Sequence, residues 1–204
     1  MIADGSIVRC EVRVVTDSVT SLALWSAVVG IVALAALVLM SVGLGFLGPV
    51  NDVLGAATGV LVMLLAFAAR DLLPTSPVLR WLALASAVMG AILILIGSGL
   101  VLSGRTGWYL AGLWSALGWG VLGAWFLVLA ATLFGSASWP VWLRWLGVVA
   151  GVLLVVGLAV LPGVLSGIDD WGSASAGLVV PQVLGYIGSL LLLVWCFVVG
   201  RSSA

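Results

Sequence analysis

Residues 18–51 read SVTSLALWSAVVGIVALAALVLMSVGLGFLGPVN and contain no charged side chain. A helix needs about 20 apolar residues to cross the hydrocarbon of a bilayer. This run is long enough to cross once and begin the return. The rest of the chain has the same character. Of 204 residues, 64% are hydrophobic and only 7% charged, against about 25% charged in a soluble domain. The exterior of such a chain is built to meet lipid.

Working outward from that stretch, charges and turn residues divide the sequence. GPVND at 48–52 separates a first helix from a second, RDLLPTSP at 70–77 is polar and carries two prolines, and SGRTG at 103–107 is a short loop. GSASWP at 135–140 ends in a proline suited to a helix start. SGIDDWGSASAG at 166–177 is the longest and most polar break. The expected fold is an all-α transmembrane bundle with helices at 22–46, 49–69, 78–102, 108–134, 141–165 and 177–200. Pro162 is expected to end or kink the fifth helix near its far end. Residues 1–20 read as a loose cytoplasmic extension before a single domain at 21–204. Within them IVRCEVRVV alternates with period two, as a strand does.

Arginine placement sets an expected orientation. With the N-terminus inside, Arg9, Arg13, Arg70, Arg80, Arg144 and Arg201 lie on the cytoplasmic side and only Arg105 lies outside. Both termini are then cytoplasmic and the membrane is the plasma (inner) membrane. Trp81, Trp142 and Trp145 fall at the inner interface, Trp108 and Trp171 at the outer one.

The segments also resemble one another. LALWSAVVG at Leu22 and LALASAVMG at Leu82 agree in seven of nine residues. PVLRWL at Pro77 and PVWLRWL at Pro140 open the third and fifth helices, while VNDVLG at 50, LWSALG at 113 and VPQVLG at 180 fall in the even ones. This pattern suggests three tandem two-helix hairpins in parallel orientation. It aligns Asp52 with Ser115 and Gln182, so three polar side chains would meet at one depth. The competing reading makes Asp52 and Gln182 ordinary residues of a helix start. The candidate ligand site is therefore Asn51, Asp52, Ser115 and Gln182, with Arg105 as the external cation. Arg105 could pair with Asp52 or Asp169, meet an anionic head group, or simply sit in a wet loop.

Small residues recur four apart at Gly55 and Gly59, at Gly147 and Gly151, and along Gly112, Ala116, Gly120 and Ala124. Such ladders mark helix seams within a bundle or a homo-oligomer face. Balanced charge, with seven basic and seven acidic residues, excludes a nucleic-acid footprint. Histidine and lysine are absent, so general-base chemistry and zinc or haem ligation are not expected. Cys10 and Cys196 read as inert thiols, Asp169 and Asp170 as a solvated turn. No ionisable residue falls at a helix centre, which argues against an ion-coupled pump. No enzyme activity, cofactor or metal is expected.

The stretch GPVNDVLGAATGVLVMLLAFAARDLLP at 48–74, with the lysine-free composition and short loops, resembles the uncharacterised six-helix integral membrane proteins of high-GC bacteria. The resemblance implies a multi-pass inner-membrane bundle and brings no catalytic motif. The two-helix threefold layout is also similar to that of mitochondrial-type carriers. Their proline-acid-basic signature is missing from the odd helices, so their activity does not transfer. Two functions stay open. One is a structural or interaction protein acting through lipid or protein contacts. The other is a facilitator or binding protein for a small apolar or amphipathic ligand near the outer face. A cavity at the depth of Asp52 favours the second, and solid packing there favours the first.

Overall fold

A computed structural model describes the backbone of residues 5–73, 76–134 and 139–201, and the side chains among them from Asp17 onward. The described residues form helices and turns with no strand. In chain order the α-helices are α1 (Gly5–Ser41), α2 (Gly48–Ala68), α3 (Pro77–Leu102), α4 (Trp108–Leu133), α5 (Val141–Val156), α6 (Leu161–Leu165) and α7 (Ala176–Arg201). Six segments are long and apolar enough to cross a membrane, with α5 and α6 together making the fifth. They run 24 to 26 residues. At 1.5 Å per residue this exceeds the hydrocarbon thickness, so the helices can tilt.

The helix boundaries depart from expectation at both ends of the first helix, and the fifth span breaks near Pro162 as expected. Helix α1 begins at Gly5, so residues 5–20 continue the first helix and form no extended strand. An isolated strand has no partner for its backbone, whereas a helix satisfies its own. Arg9, Cys10 and Arg13 lie outside the residues whose side chains are described. The same helix stops at Ser41, five residues early. Gly43 takes φ of +112°, Leu44 N–H donates to Leu39 C=O, and Gly43 N–H donates to Met40 C=O. This is a glycine cap that turns the chain by a left-handed residue. The fifth span is not one helix. A 3-10 segment, Gly157–Val160, separates α5 from α6. Pro162 cannot donate to the carbonyl of Leu158 and its ring crowds that oxygen, so the break precedes the proline.

The cap at Gly43 recurs. Gly104 (φ +67°) and Gly167 (φ +63°) close α3 and α6 with the same pair of bonds. All three turns join an odd span to an even one on the side of the molecule that carries Asp52. A β-carbon at Gly104 would meet nothing within 4 Å, so Gly104→Ala isolates the backbone cost. It is expected to lose about 1–2 kcal/mol in reversible unfolding from mixed micelles, with Gly104→Asn losing less.

Each span packs on its neighbours in sequence, and α7 packs on α1, so the helices close into a ring. The ring is not evenly filled. In the most apolar stretch, 61% of α4 is buried, against 50% for α7 and 28% for α2, so the even helices are not equivalent. Helix α4 leans into the middle and touches α7 and α2 as well as its neighbours. Its side chains Leu122, Trp125, Phe126 and Leu129 are almost wholly buried there.

Glycine permits the closest approaches. β-carbons at Gly90 and Gly118 would each lie 2.7 Å from the other residue's carbonyl oxygen, which marks the α3–α4 crossing. Gly147 and Gly151 face Ala130 and Leu127 of α4, so this ladder is a seam inside one chain. Gly120 and Gly123 meet Leu154 and Leu158 on the other side of the same interface. At the ring closure, Gly200 lies against Leu24 and Gly30 against Leu193. Trp81, Trp142 and Trp145 stay exposed on the arginine-rich side, Trp108 and Trp171 on the other.

Candidate functional site

Two of the three aligned residues, Asp52 and Ser115, come to one place inside the ring, and Asn51 is beside them. A cavity of about 60 Å³ has Asn51 and Asp52 of α2 and Ser115 of α4 on its wall. Ser98 of α3, Tyr186 of α7 and Leu37 of α1 complete it, together with Trp108 and Trp119. Gly55 and Gly112 leave the space open, since a β-carbon at Gly55 would touch nothing within 4 Å. Gln182 packs behind Gly112, its Nε2 3.3 Å from the β-position there and the Tyr186 hydroxyl 3.7 Å away.

Asp52 is the fifth residue of α2 and does not cap it. Pro49 fills the first turn and no side chain bonds to the helix start. The one hydrogen bond found for its carboxylate comes from Asn51 Nδ2 at 3.4 Å, at the weak end of the range. Gln182 is likewise not a helix-start residue, because α7 begins at Ala176 and Pro181 lies inside it. The side chain is 2% exposed and its Oε1 has no partner. A buried, unpartnered amide oxygen is costly and usually has a purpose.

Arg105 does not join the cluster. It is exposed in the α3–α4 turn, off the cavity wall. It forms no ion pair among the described residues, where the pair found is Arg70–Asp71 at 3.8 Å. Asp169 is engaged otherwise. Its carboxylate accepts the backbone N–H of Gly107, and that of Leu110 at 3.1 Å. It thus caps α4 from the α6–α7 loop, where the sequence suggested only a solvated turn. Asp170 does hold its own turn, accepting from Gly172 N–H. Trp171 of the same loop meets Tyr109 edge to face, 5.3 Å between centroids. The long loop therefore grips the beginning of α4 beside the cavity.

Below this cavity lies a second of about 50 Å³, reaching Thr58, Ser189 and Gly30. Gly55, Trp119 and Tyr186 border both. Thr58 donates to Leu54 C=O and Ser189 to Tyr186 C=O, so their hydroxyls offer only lone pairs to the space. Beside both lies an apolar groove of about 590 Å³ between α1 and α7, lined by residues such as Ile31, Ala35, Val183 and Leu190. Tyr186 borders the groove and both cavities, and Leu37 borders the groove and the upper cavity. The α1–α7 seam is thus tight at Gly200 and Gly30 and opens toward Asp52.

Tyr186 and Ser98 carry no mark in the sequence, and Trp119 stands out there only as one tryptophan of a Trp-rich helix with a lipid-facing or bundle-filling role. Tyr186 stands four residues after Gln182, and Trp119 four after Ser115, so each shares its partner's helix face. Extending the aligned positions by one turn would have found both. Cys196 is a free, buried thiol far down α7 from this site. Among the described residues, no group of three His, Cys, Asp or Glu could hold a metal ion. No family model matches the chain, and no curated protein and no solved structure matches it.

Proposed function

We propose that this integral membrane protein binds a small amphipathic molecule, with the polar end in the Asp52 cavity and the apolar end in the α1–α7 groove. The observation that carries this is the shared wall: Leu37 and Tyr186 border a polar pocket on one side and a lipid-facing groove on the other. A molecule lying across that wall would leave water at its head and bilayer at its tail. The reading as a purely structural protein is weakened by the same fact, because Asp52 and Ser115 border open space and not packed side chains. Lipid is the natural source of such a ligand or its competitor, and the assignment is to binding or facilitated passage without covalent chemistry.

The arrangement further supports an inner-membrane orientation with Arg70, Arg80, Arg144 and Arg201 toward the cytoplasm, so that the cavity faces outward. It also supports descent from three hairpins, since the glycine caps at 43, 104 and 167 fall at matching places. In that descent α4 has moved inward from the position its counterparts keep.

Blocking the groove tests the function directly. Ala35 is exposed on α1 and faces the groove, so Ala35→Trp fills it from the lipid side without entering the core. Native mass spectrometry of protein released from bilayer discs is expected to show a retained amphiphile on the parent chain and at least about ten-fold less on the variant, equivalent to about 1.4 kcal/mol. Equal retention by both would refute the groove as a binding surface.

A further inference from the structure

Resting on that reading, we infer that the head group held against Asp52 is a small alkylammonium cation. The carboxylate has no basic partner: its one contact is the 3.4 Å approach of Asn51. The ion pair found among the described residues, Arg70–Asp71, lies at the other side of the molecule. An anionic head group would meet this carboxylate with no arginine on the wall to balance it, because Arg105 stands outside the cavity. A cation completes the site.

The remaining wall selects the kind of cation. Trp108, Trp119 and Tyr186 surround the same space from two helices. Aromatic rings attract a soft organic cation through their quadrupoles, and do so more strongly away from water. A divalent metal ion requires six or more oxygen ligands, or several carboxylates, and here there is one carboxylate. The cavity, about 60 Å³, limits the head group to a small one. Gln182, whose Nε2 lies behind Gly112, is off the cavity wall and adds no charge to it. The carbon chain of the same molecule then leaves past Tyr186 and Leu37 into the groove.

The test uses four probes on the full chain in bilayer discs of zwitterionic lipid. Binding of dodecyltrimethylammonium, 1-dodecanol, dodecyl sulfate and tail-less tetramethylammonium is measured by calorimetry. Dodecyltrimethylammonium is expected to bind at least ten-fold more tightly than 1-dodecanol, and dodecyl sulfate most weakly. In Asp52→Asn, which is nearly isosteric, the preference for the cation over the alcohol should disappear. In Asp52→Glu, which keeps the charge, it should persist. Unfolding midpoints of both variants verify that each is folded. Equal binding of alcohol and cation, a preference for the sulfate, or a preference surviving in Asp52→Asn overturns the cationic assignment and leaves the groove reading standing. The reverse also separates: if tetramethylammonium binds as tightly as its dodecyl analogue and Ala35→Trp has no effect, the groove reading fails and the cation site remains. If no probe binds, both fall.

Discussion

Replacing Gly118 by alanine is expected to cost about 3 kcal/mol, the upper end of what an overpacked contact removes. The added carbon would stand 2.7 Å from the Gly90 carbonyl oxygen and 2.8 Å from the Ile94 nitrogen. Both are backbone atoms of α3, so no side chain can turn aside. The whole of α3 must move, and it carries Ser98 on the cavity wall with it. In lipid the helices gain nothing from hiding apolar surface, so the loss of close contact is not recovered elsewhere. Gly99 supplies the control. It lies in the same helix with nothing within 4 Å of its β-position, and Gly99→Ala should be neutral or slightly stabilising. Reversible unfolding in mixed micelles measures both. Similar midpoints for the two variants would show that the α3–α4 crossing is looser than its geometry.

The second large effect is expected at Asp169. Its carboxylate receives two backbone N–H groups at the start of α4, one from Gly107 and one from Leu110. Such donors have no partner within the helix, and removing the cap costs up to about 2 kcal/mol. The expected outcome for Asp169→Ala is therefore a loss near that value, with Asp169→Asn losing less because an amide oxygen still accepts. Backbone amide exchange should rise at residues 107–110 and stay unchanged in α2. The loss should also shrink little in high salt, since the interaction is a pair of directed hydrogen bonds as well as a charge effect. A loss equal for the alanine and asparagine variants would mean that the charge alone matters there.

How far the sequence reveals this molecule depends on the physical signal each feature leaves. The six crossings are legible because charge is excluded from hydrocarbon, and a run such as 81–104 has no other use. The end of α1 is not legible. Gly43, Gly45 and Gly48 all offer a stop, and only the backbone shows which one takes a left-handed φ. In the fifth span, Pro162 announces a disturbance but not that the chain tightens to a 3-10 turn one step earlier, against Ala116 and Gly185. The alternation of residues 7–15 specifies no strand, because no second strand can pair with it, and the segment reads as loose chain where the backbone instead continues α1 back to Gly5.

At the site, Asp52 and Ser115 border one cavity while Gln182 packs behind its wall, and the unequal burial of the even helices departs from threefold symmetry. Arg105 illustrates the opposite outcome. Charge complementarity suggested a partner for an aspartate, yet its loop carries it away, and Asp169 turns to backbone donors instead. Tyr186 leaves no charge or motif to notice. Its importance is positional, at the meeting of three spaces, and this is a property of helix rotation that a single sequence does not state.

The pairing of α1 with α7 has a consequence for how the molecule is made. Helix α1 is made before α7, so the face that α7 covers waits in lipid until that helix emerges, with α2 packed beside it. Ser26 shows how the waiting is tolerated: its hydroxyl donates to Leu22 C=O within the same helix at 2.7 Å, so no polar group stands unsatisfied in the interval. Among the six spans the α1–α7 contact is the one that closes the ring, and the groove proposed for the ligand runs along that joint.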